Sequence, residues 1–412
     1  MFLPGKLLKH LIREGRLTVI DAGGQRHVYA GASPGPSVTI RIRDRAAQRR
    51  LFLDPELRLG EAYMDGALTV EEGSVYDFLD LVTRAKLDFP LKKFLKRVRR
   101  TMRPFQTRNR TKSARQNVAH HYDLDAGLYD LFLDSDRQYS CAYFGAPGDD
   151  LETAQLKKKR HLASKLMLEA DQSVLDIGCG WGGLALYLAQ ACGVRVDGIT
   201  LSEEQIKIAR QRADRAGLES QVNFRLEDYR QTRAGYDRIV SVGMFEHVGP
   251  GNYDEYFEQV ARLMKDDGVA LIHSIGRGNG PGSTSPWLRK YIFPGGYIPA
   301  LSEVIPSIER AGLWVTDVEI LRLHYAETCR AWRERFMANR DKALEIYDER
   351  FCRMWEFYLA GAEVAFRNGG QMVFQIQLAK RGNALPITRD YMFEAERRLA
   401  GSGEAETMDG GG

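Results

Sequence analysis

The chain has 412 residues with 44% hydrophobic and 28% charged positions, which fits two or three soluble globular domains with a core that needs no staples. Five scattered cysteines without a CxxC pair (Cys141, Cys179, Cys192, Cys329, Cys352) argue against a zinc site and a disulfide framework, so the expectation is no metal and a cytoplasmic setting. No run of about 18 apolar residues occurs, the charge-broken start MFLPGKLLKHLIREGRL does not read as a secretory signal, and a net charge of only +4 without aromatic–basic interleaving gives no reason to expect nucleic acid as a partner.

Residues 1–90 read as a small N-terminal domain for lipid binding or dimerisation. Helical spacing runs from Phe2 to Leu17, and alternating Val38, Ile40 and Ile42 predict a strand. LGEAYMDGALTV predicts a turn, and VYDFLDLVTRA a short amphipathic helix. No catalytic pattern stands out here. Residues 91–116 form a basic amphipathic linker, with eleven Lys or Arg and no acid between Lys92 and Arg115. Leu91, Phe94, Leu95, Val98 and Met102 share one helical face. Such a segment can lie on an anionic bilayer, each cation adding about 1 kcal/mol, or serve as a solvated linker helix.

Residues 117–395 are expected to be the main domain with a helical cap. The polar and aromatic stretch up to residue 150 can cover an active site. From about 155 to 275 helix and strand alternate: SVLDIG, VRVDGIT, QVNFRLEDY, YDRIVSVG and VALIHSIG are strands, with helices between them. Buried strands flanked by helices give an α/β fold, a mostly parallel sheet covered on both faces. A Gly/Pro-rich loop then runs to about 300. LSEVIPSIERAG reads as a helix, residues 314–325 as a strand pair, 328–366 as mostly helix and MVFQIQLAK as a strand. Residues 396–412, Gly-rich and acidic, are expected to be a disordered tail.

The strand SVLDIG enters GCGWGG and then a helix. Gly178, Gly180, Gly182 and Gly183 let the backbone approach a ligand, and ligands of open α/β sheets bind at the carboxyl ends of the strands. Asp176, just before the loop, suits an ammonium group and not a pyrophosphate, which points to S-adenosylmethionine over a dinucleotide. Thr200 and Gln205, after the second strand, can hold ribose or amino-acid groups. Ser202 reads more readily as the cap of the next helix. Glu227 or Asp228, after the third, can accept from an adenine amino group. Glu246 and His247 follow the fourth strand, and His273 interrupts the fifth near its carboxyl end. A function is expected for Glu246 and His273, a structural hydrogen bond for His247. Cys141 and Tyr325 carry no signal by pattern alone.

The segments HYDLDAGLYDLFLD, QYSCAYF, VLDIGCGWGG, GITLSEEQ, YDRIVSVGMFEHVGPGNYDEYF, IHSIG, KYIFPGGYIP and AWRERF span about residues 117–337. In these the chain resembles the cyclopropane fatty acid synthases, which act on acyl chains of membrane phospholipids, and their mycolic-acid relatives. The resemblance implies a Rossmann-like class I S-adenosylmethionine-dependent methyltransferase domain behind a smaller N-terminal domain. It implies methyl transfer to a cis double bond, loss of a proton from that methyl, and ring closure with a bound bicarbonate ion as the base. The bicarbonate roles fall on Cys141, Glu246, His273, the Ile275 carbonyl and Tyr325. Donor contacts fall on Tyr139, Ser140, the loop from Asp176 to Gly183, Thr200, Leu201, Gln205, and Glu227 or Asp228. A homodimer attached peripherally to the inner face of an anionic membrane is implied as well. Departures from the family pattern are Asp125-Ala126, Gly295-Gly296 and His324. Tyr139, Tyr143, Phe144, Phe245, Trp287 and Tyr291 are available to face a developing cation. Methyl or methylene branching of the chain, and a small-amine N-methyltransferase of related fold, are the alternatives.

Overall fold

The computed structural model describes residues 12–84 and 125–409. The basic linker at 91–116 and the HYDL motif lie outside the described residues. The N-terminal part holds strands β1 (Glu14–Ile20), β2 (Arg26–Ala30), β3 (Ser33–Ile42) and β4 (Leu68–Glu72) and helices α1 (Arg45–Leu53), α2 (Pro55–Met64) and α3 (Val75–Thr83). The strands lie in the order β2-β1-β3-β4. Helical spacing does not carry through to Leu17 as expected. From Glu14 the chain is a strand, because Leu17 and Val19 register with Val38 and Ile40 of β3 in one buried cluster, and sheet pairing outweighs local periodicity. LGEAYM belongs to α2, not to a turn; the turn follows at Asp65–Gly66, where Gly66 has φ +69°. Ser74 and Asp77 form a capping box that starts α3.

The main body follows with α4 (Ala126–Asp130), α5 (Leu151–Leu166), β5 (Ser173–Ile177), α6 (Gly183–Cys192), β6 (Arg195–Thr200), α7 (Glu203–Arg215), β7 (Val222–Leu226), β8 (Tyr236–Val242), α8 (Tyr253–Leu263) and β9 (Met264–Arg277). Then come α9 (Pro286–Tyr291), α10 (Leu301–Arg310), β10 (Trp314–Leu321), α11 (His324–Ala338), α12 (Arg340–Ile346), α13 (Glu349–Arg367), β11 (Gln371–Ala379) and α14 (Asp390–Asp409). Seven strands form one sheet in the order β10-β11-β9-β8-β5-β6-β7. β5 to β9 run parallel, and β11 is antiparallel to both β9 and β10.

Successive residues point to opposite faces. Val174, Val240 and Leu271 join one buried cluster with α5, α6 and α7, while Leu175, Ile239, Ala270 and Ile272 join another with α8 and α10. Each such Val, Leu or Ile side chain, fully buried, contributes roughly 1.5–3 kcal/mol. Strand order departs in opposite directions from β5, towards β6 and towards β8. The crevice at their carboxyl ends is therefore where a ligand belongs.

Three expectations need correction. Residues 314–325 hold one strand, β10, ending at Leu321 and followed by the start of α11 at His324, not a strand pair, since β10 finds its partner in the distant β11. The Gly/Pro-rich loop contains a helix, α9. The chain does not leave the fold at residue 396, because α14 runs through that point. Met392 is buried, Leu399 packs on the cluster beneath α5, and Glu396 faces the His161 ring. A composition rich in glycine conceals these anchors.

The N-terminal part docks on the helices that cap the sheet. Tyr63 donates to Glu356 at 2.8 Å, Asn368 to Asp80 at 2.9 Å, and Lys290 and Tyr291 to the buried Glu61 at 2.7 and 2.9 Å. Gly60 lets Trp287 lie against α2: a Cβ there would sit 2.3 Å from the indole nitrogen. No helix among the described residues is long and apolar enough to cross a membrane.

Candidate active site

Leaving β5, the chain turns through Gly178, Gly180 and Gly182, at φ +87°, +55° and +84°, a region open to glycine but costly for other residues. A Cβ on Gly178 would meet the Cβ of Met244 at 2.8 Å, whereas one on Gly180 would meet nothing within 4 Å. The turn frames a cavity of about 160 Å³. Tyr139, Ser140, Asp176, Gly178, Gly180, Gly183, Thr200, Leu201, Gln205, Glu227 and Asp228, eleven of the donor candidates, line it. Gly182 does not. A Cβ there would sit 2.6 Å from the Phe224 ring and 3.1 Å from the Ala209 Cβ, so the glycine serves the packing of α6 on the sheet.

Asp176 is almost wholly buried, and its Oδ2 has no hydrogen-bond partner. Burial pushes its carboxyl up to about 7, against the pull of the Lys158 ammonium. An orphaned acceptor in a cavity fits a ligand ammonium group. Thr200 Oγ1 donates to Gln205 Oε1 at 2.9 Å, and Ser202 Oγ accepts from Gln205 N–H at 3.2 Å as the cap of α7. Asp228 holds Arg230 at 2.9 and 2.6 Å, while Glu227 accepts from Thr232 at 2.6 Å.

The loop 137–141 forms the far wall, and it is set from behind. Asp134 Oδ1 accepts from Gln138 N–H at 2.8 Å. From α5, Gln155 donates to the carbonyls of Gln138 and Ser140 at 3.1 and 3.0 Å. Lys158, with no exposed surface, donates to Ser140 Oγ at 3.0 Å and to Gln138 Oε1. Burial pushes its ammonium down to about 8. His324, one of the departures, serves the same loop: its Nδ1 accepts from Phe144 N–H at 3.1 Å, and its ring stacks on Tyr143.

A second cavity of about 350 Å³ abuts the first at Tyr139, Ser140, Gly243 and His247. Cys141, Glu246, His273, Ile275 and Tyr325, far apart in sequence, all line it. Glu246 Oε1 accepts from Ile275 N–H at 2.6 Å, and its Oε2 is buried without a partner. Burial raises its carboxyl to about 7. Burial also raises the Cys141 thiol and the Tyr325 phenol, and drives the His273 imidazole well below its ordinary value, helped by Lys158 and Lys165. At neutral pH the thiol, phenol and imidazole that line this cavity are uncharged, beside a carboxyl that burial holds well above its ordinary range. The Ile275 carbonyl already accepts from Ser274 Oγ at 3.1 Å, and Cys141 Sγ donates to Ala142 O at 3.3 Å. His247, lining both cavities, is pushed down to about 4 by burial and is uncharged.

Most of the rest of the wall is apolar, with Glu56, Thr284, Ser285 and Gln371 as the polar exceptions. Of the aromatic residues expected to face a cation, Tyr139 and Trp287 line the cavity, joined by Phe293, Phe357, Tyr358 and Phe366. Phe245 turns instead into the cluster with Tyr253 and Tyr256. Tyr358 hydrogen-bonds Tyr139, hydroxyl to hydroxyl, at 2.9 Å. No local pattern pointed to Tyr358, Lys158 or the cavity residue Glu56, which arrive from distant helices. The described residues hold no cluster of His, Cys, Asp and Glu suited to a metal ion.

A family model described as mycolic acid cyclopropane synthetase matches residues 109–376, and one described as a domain of unknown function (DUF7884) matches residues 5–93. The chain is 40% identical to the cyclopropane-fatty-acyl-phospholipid synthase of Escherichia coli (strain K12), over 85% of this chain and 90% of that protein. It is 36% identical to a probable fatty acid methyltransferase of Pseudomonas putida, over 87% of this chain and 92% of that one. Among solved structures, mycolic acid cyclopropane synthase CmaA1 complexed with SAH and CTAB matches with a TM-score of 0.61 and 33% identity, over 64% of this chain and 97% of that one.

Proposed function

Since the chain belongs to the mycolic acid cyclopropane synthetase family, S-adenosylmethionine-dependent methyltransferases that modify fatty-acyl chains, we propose that it converts the cis double bond of an unsaturated phospholipid acyl chain into a cyclopropane ring. The observation that carries this reading is the orphaned Glu246 oxygen, poised near neutrality in an apolar cavity that opens onto the donor cavity beside Ser140.

S-adenosylmethionine supplies an electrophilic methyl group when bound. Asp176 would hold its ammonium group and the glycine turn would receive its body, with Tyr139, Ser140, Thr200, Leu201, Gln205 and Glu227 or Asp228 around it. Bicarbonate supplies a small base. Cys141, Glu246, His273, Tyr325 and the Ile275 backbone would hold it, and Glu246, its carboxyl raised by burial, can share a proton where a fixed anion would repel. The aromatic wall keeps water from a cationic acyl chain and can stabilise it by about 0.5–2 kcal/mol per ring. Alignment of alkene and methyl falls to Tyr139 and Ser140, where the cavities meet. Lipid would arrive past Glu56, with the basic segment at 91–116 resting on an anionic inner-membrane surface and two copies forming a dimer.

The similarity to a fatty acid methyltransferase favours one second reading, a methyl or methylene branch on the acyl chain. It shares the first step and differs only in the late proton loss. A small-amine N-methyltransferase would not need the bicarbonate set, and Cys141, Glu246, His273 and Tyr325 together argue against it.

Vesicles of unsaturated phospholipid, incubated with protein and donor, are expected to yield lipid heavier by one methylene, by mass spectrometry, whereas saturated vesicles yield none. Removing bicarbonate should slow the reaction roughly tenfold or more. Methylation confined to a headgroup amine, or equal labelling of saturated lipid, would overturn the proposal.

A further inference from the structure

The imidazole of His273 is gripped from the side away from the reaction. Gln375 faces it across the β9–β11 pair, the two residues being direct partners in register. Gln375 Nε2 lies 3.2 Å from His273 Nδ1, and Gln375 Oε1 lies 2.7 Å from Lys165 Nζ. Gln375 has no exposed surface and Lys165 is 1% exposed, so water does not compete for these contacts.

Chemistry fixes the direction of each bond. Lys165 also donates to Glu319, whose carboxyl is drawn down to about 2 by His161 and Lys165. An ionised Glu319 keeps Lys165 an ammonium, which can only donate. The amide atom facing Lys165 is therefore the oxygen, and the one facing His273 is the NH₂ group. An NH₂ group donates, so Nδ1 must accept and carries no proton. A neutral imidazole with a bare Nδ1 has its proton on Nε2.

We infer that Gln375, oriented by Lys165, is a positioning residue that locks His273 in the Nε2–H tautomer, so that the ring presents an N–H donor to the cavity it lines. An amide does not pass protons along. His273 is thus a fixed donor to an anion, not a shuttle, and the proton taken from the substrate leaves by another path. This inference rests on reading that cavity as an anion site.

The test uses the full-length protein carrying ¹⁵N-histidine, without donor, lipid or bicarbonate. The His273 resonance is assigned by its loss in His273→Asn. Wild-type protein is expected to show the Nε2–H tautomer. Gln375→Glu still accepts from Lys165 but offers an acceptor to the ring, and is expected to show a proton on Nδ1. Its kcat should fall about a hundredfold with KM for the donor within about threefold, and Gln375→Met, which removes both the donor to the ring and the acceptor for Lys165 without offering the ring a competing acceptor, should fall about tenfold. A proton on Nδ1 in wild type, an unchanged tautomer in Gln375→Glu, or wild-type turnover by that variant would each overturn the inference. The tautomer is read without any ion, so a failed bicarbonate requirement and a failed spectrum remain separate results.

Discussion

Replacing Glu246 with glutamine is expected to lower kcat at least about a hundredfold while donor affinity stays within about threefold. The amide has the same shape and keeps an oxygen for the Ile275 N–H, which lies 2.6 Å from Glu246 Oε1. What changes is the orphaned Oε2: an NH₂ group there always donates and can never share or accept a proton. The fold should not suffer. The Glu246 carboxyl is raised to about 7 in the folded protein, so its favourable protonated form is lost as pH rises through that value, and with it some stability. The variant has no such loss, and its Tm at pH 8 should equal or exceed that of wild type. Calorimetry for donor binding and turnover on vesicles check the two halves. Full turnover by Glu246→Gln would remove the residue from the mechanism.

Asp176→Asn should weaken donor binding by roughly 30-fold or more, the range of 2–5 kcal/mol for breaking a buried charged pair. The direction of the pH effect follows from the same group. Its carboxyl sits at about 7 without ligand. Above that pH an anion awaits the donor's ammonium group, and below it the donor must displace a proton. Wild-type affinity should therefore fall as pH drops through 7, by up to about tenfold per unit. The asparagine variant should bind weakly with no such slope. Titration calorimetry at several pH values, in buffers of different ionisation enthalpy, reads both affinity and proton release. An affinity independent of pH in wild type would mean that Asp176 does not meet the charge.

The parallel half of the sheet was legible because each of its strands is a short apolar run flanked by a periodic helix. Its loops therefore placed Asp176, Glu246 and His273 on one edge before any coordinates. Cys141 and Tyr325 could not be read that way. Cys141 sits in an irregular loop held by Gln155, Lys158 and Thr328, and Tyr325 begins a helix far along the chain. Only the family resemblance singled them out. β11 misleads in a different way. Gln375 and Gln377 alternate with Phe374 and Ile376 as a solvent-facing strand would, yet both faces are buried. The polar row is there to meet His273 and Lys165, which no local pattern announces. At both ends of the chain the signals conflicted with tertiary packing: β1 gained a sheet partner, and α14 gained α5 to dock on.

In the proposed reaction a methyl group crosses from the glycine-turn cavity to an alkene beside Glu246, where it gives up a proton. A donor carrying a trideuteromethyl group, incubated with the protein and vesicles of unsaturated phospholipid, tests this most directly. Labelled acyl chains that have lost one deuteron from the transferred group, with ring protons in the NMR spectrum, are the expected result. Acyl chains that retain all the deuterium, or label found only outside them, would contradict it.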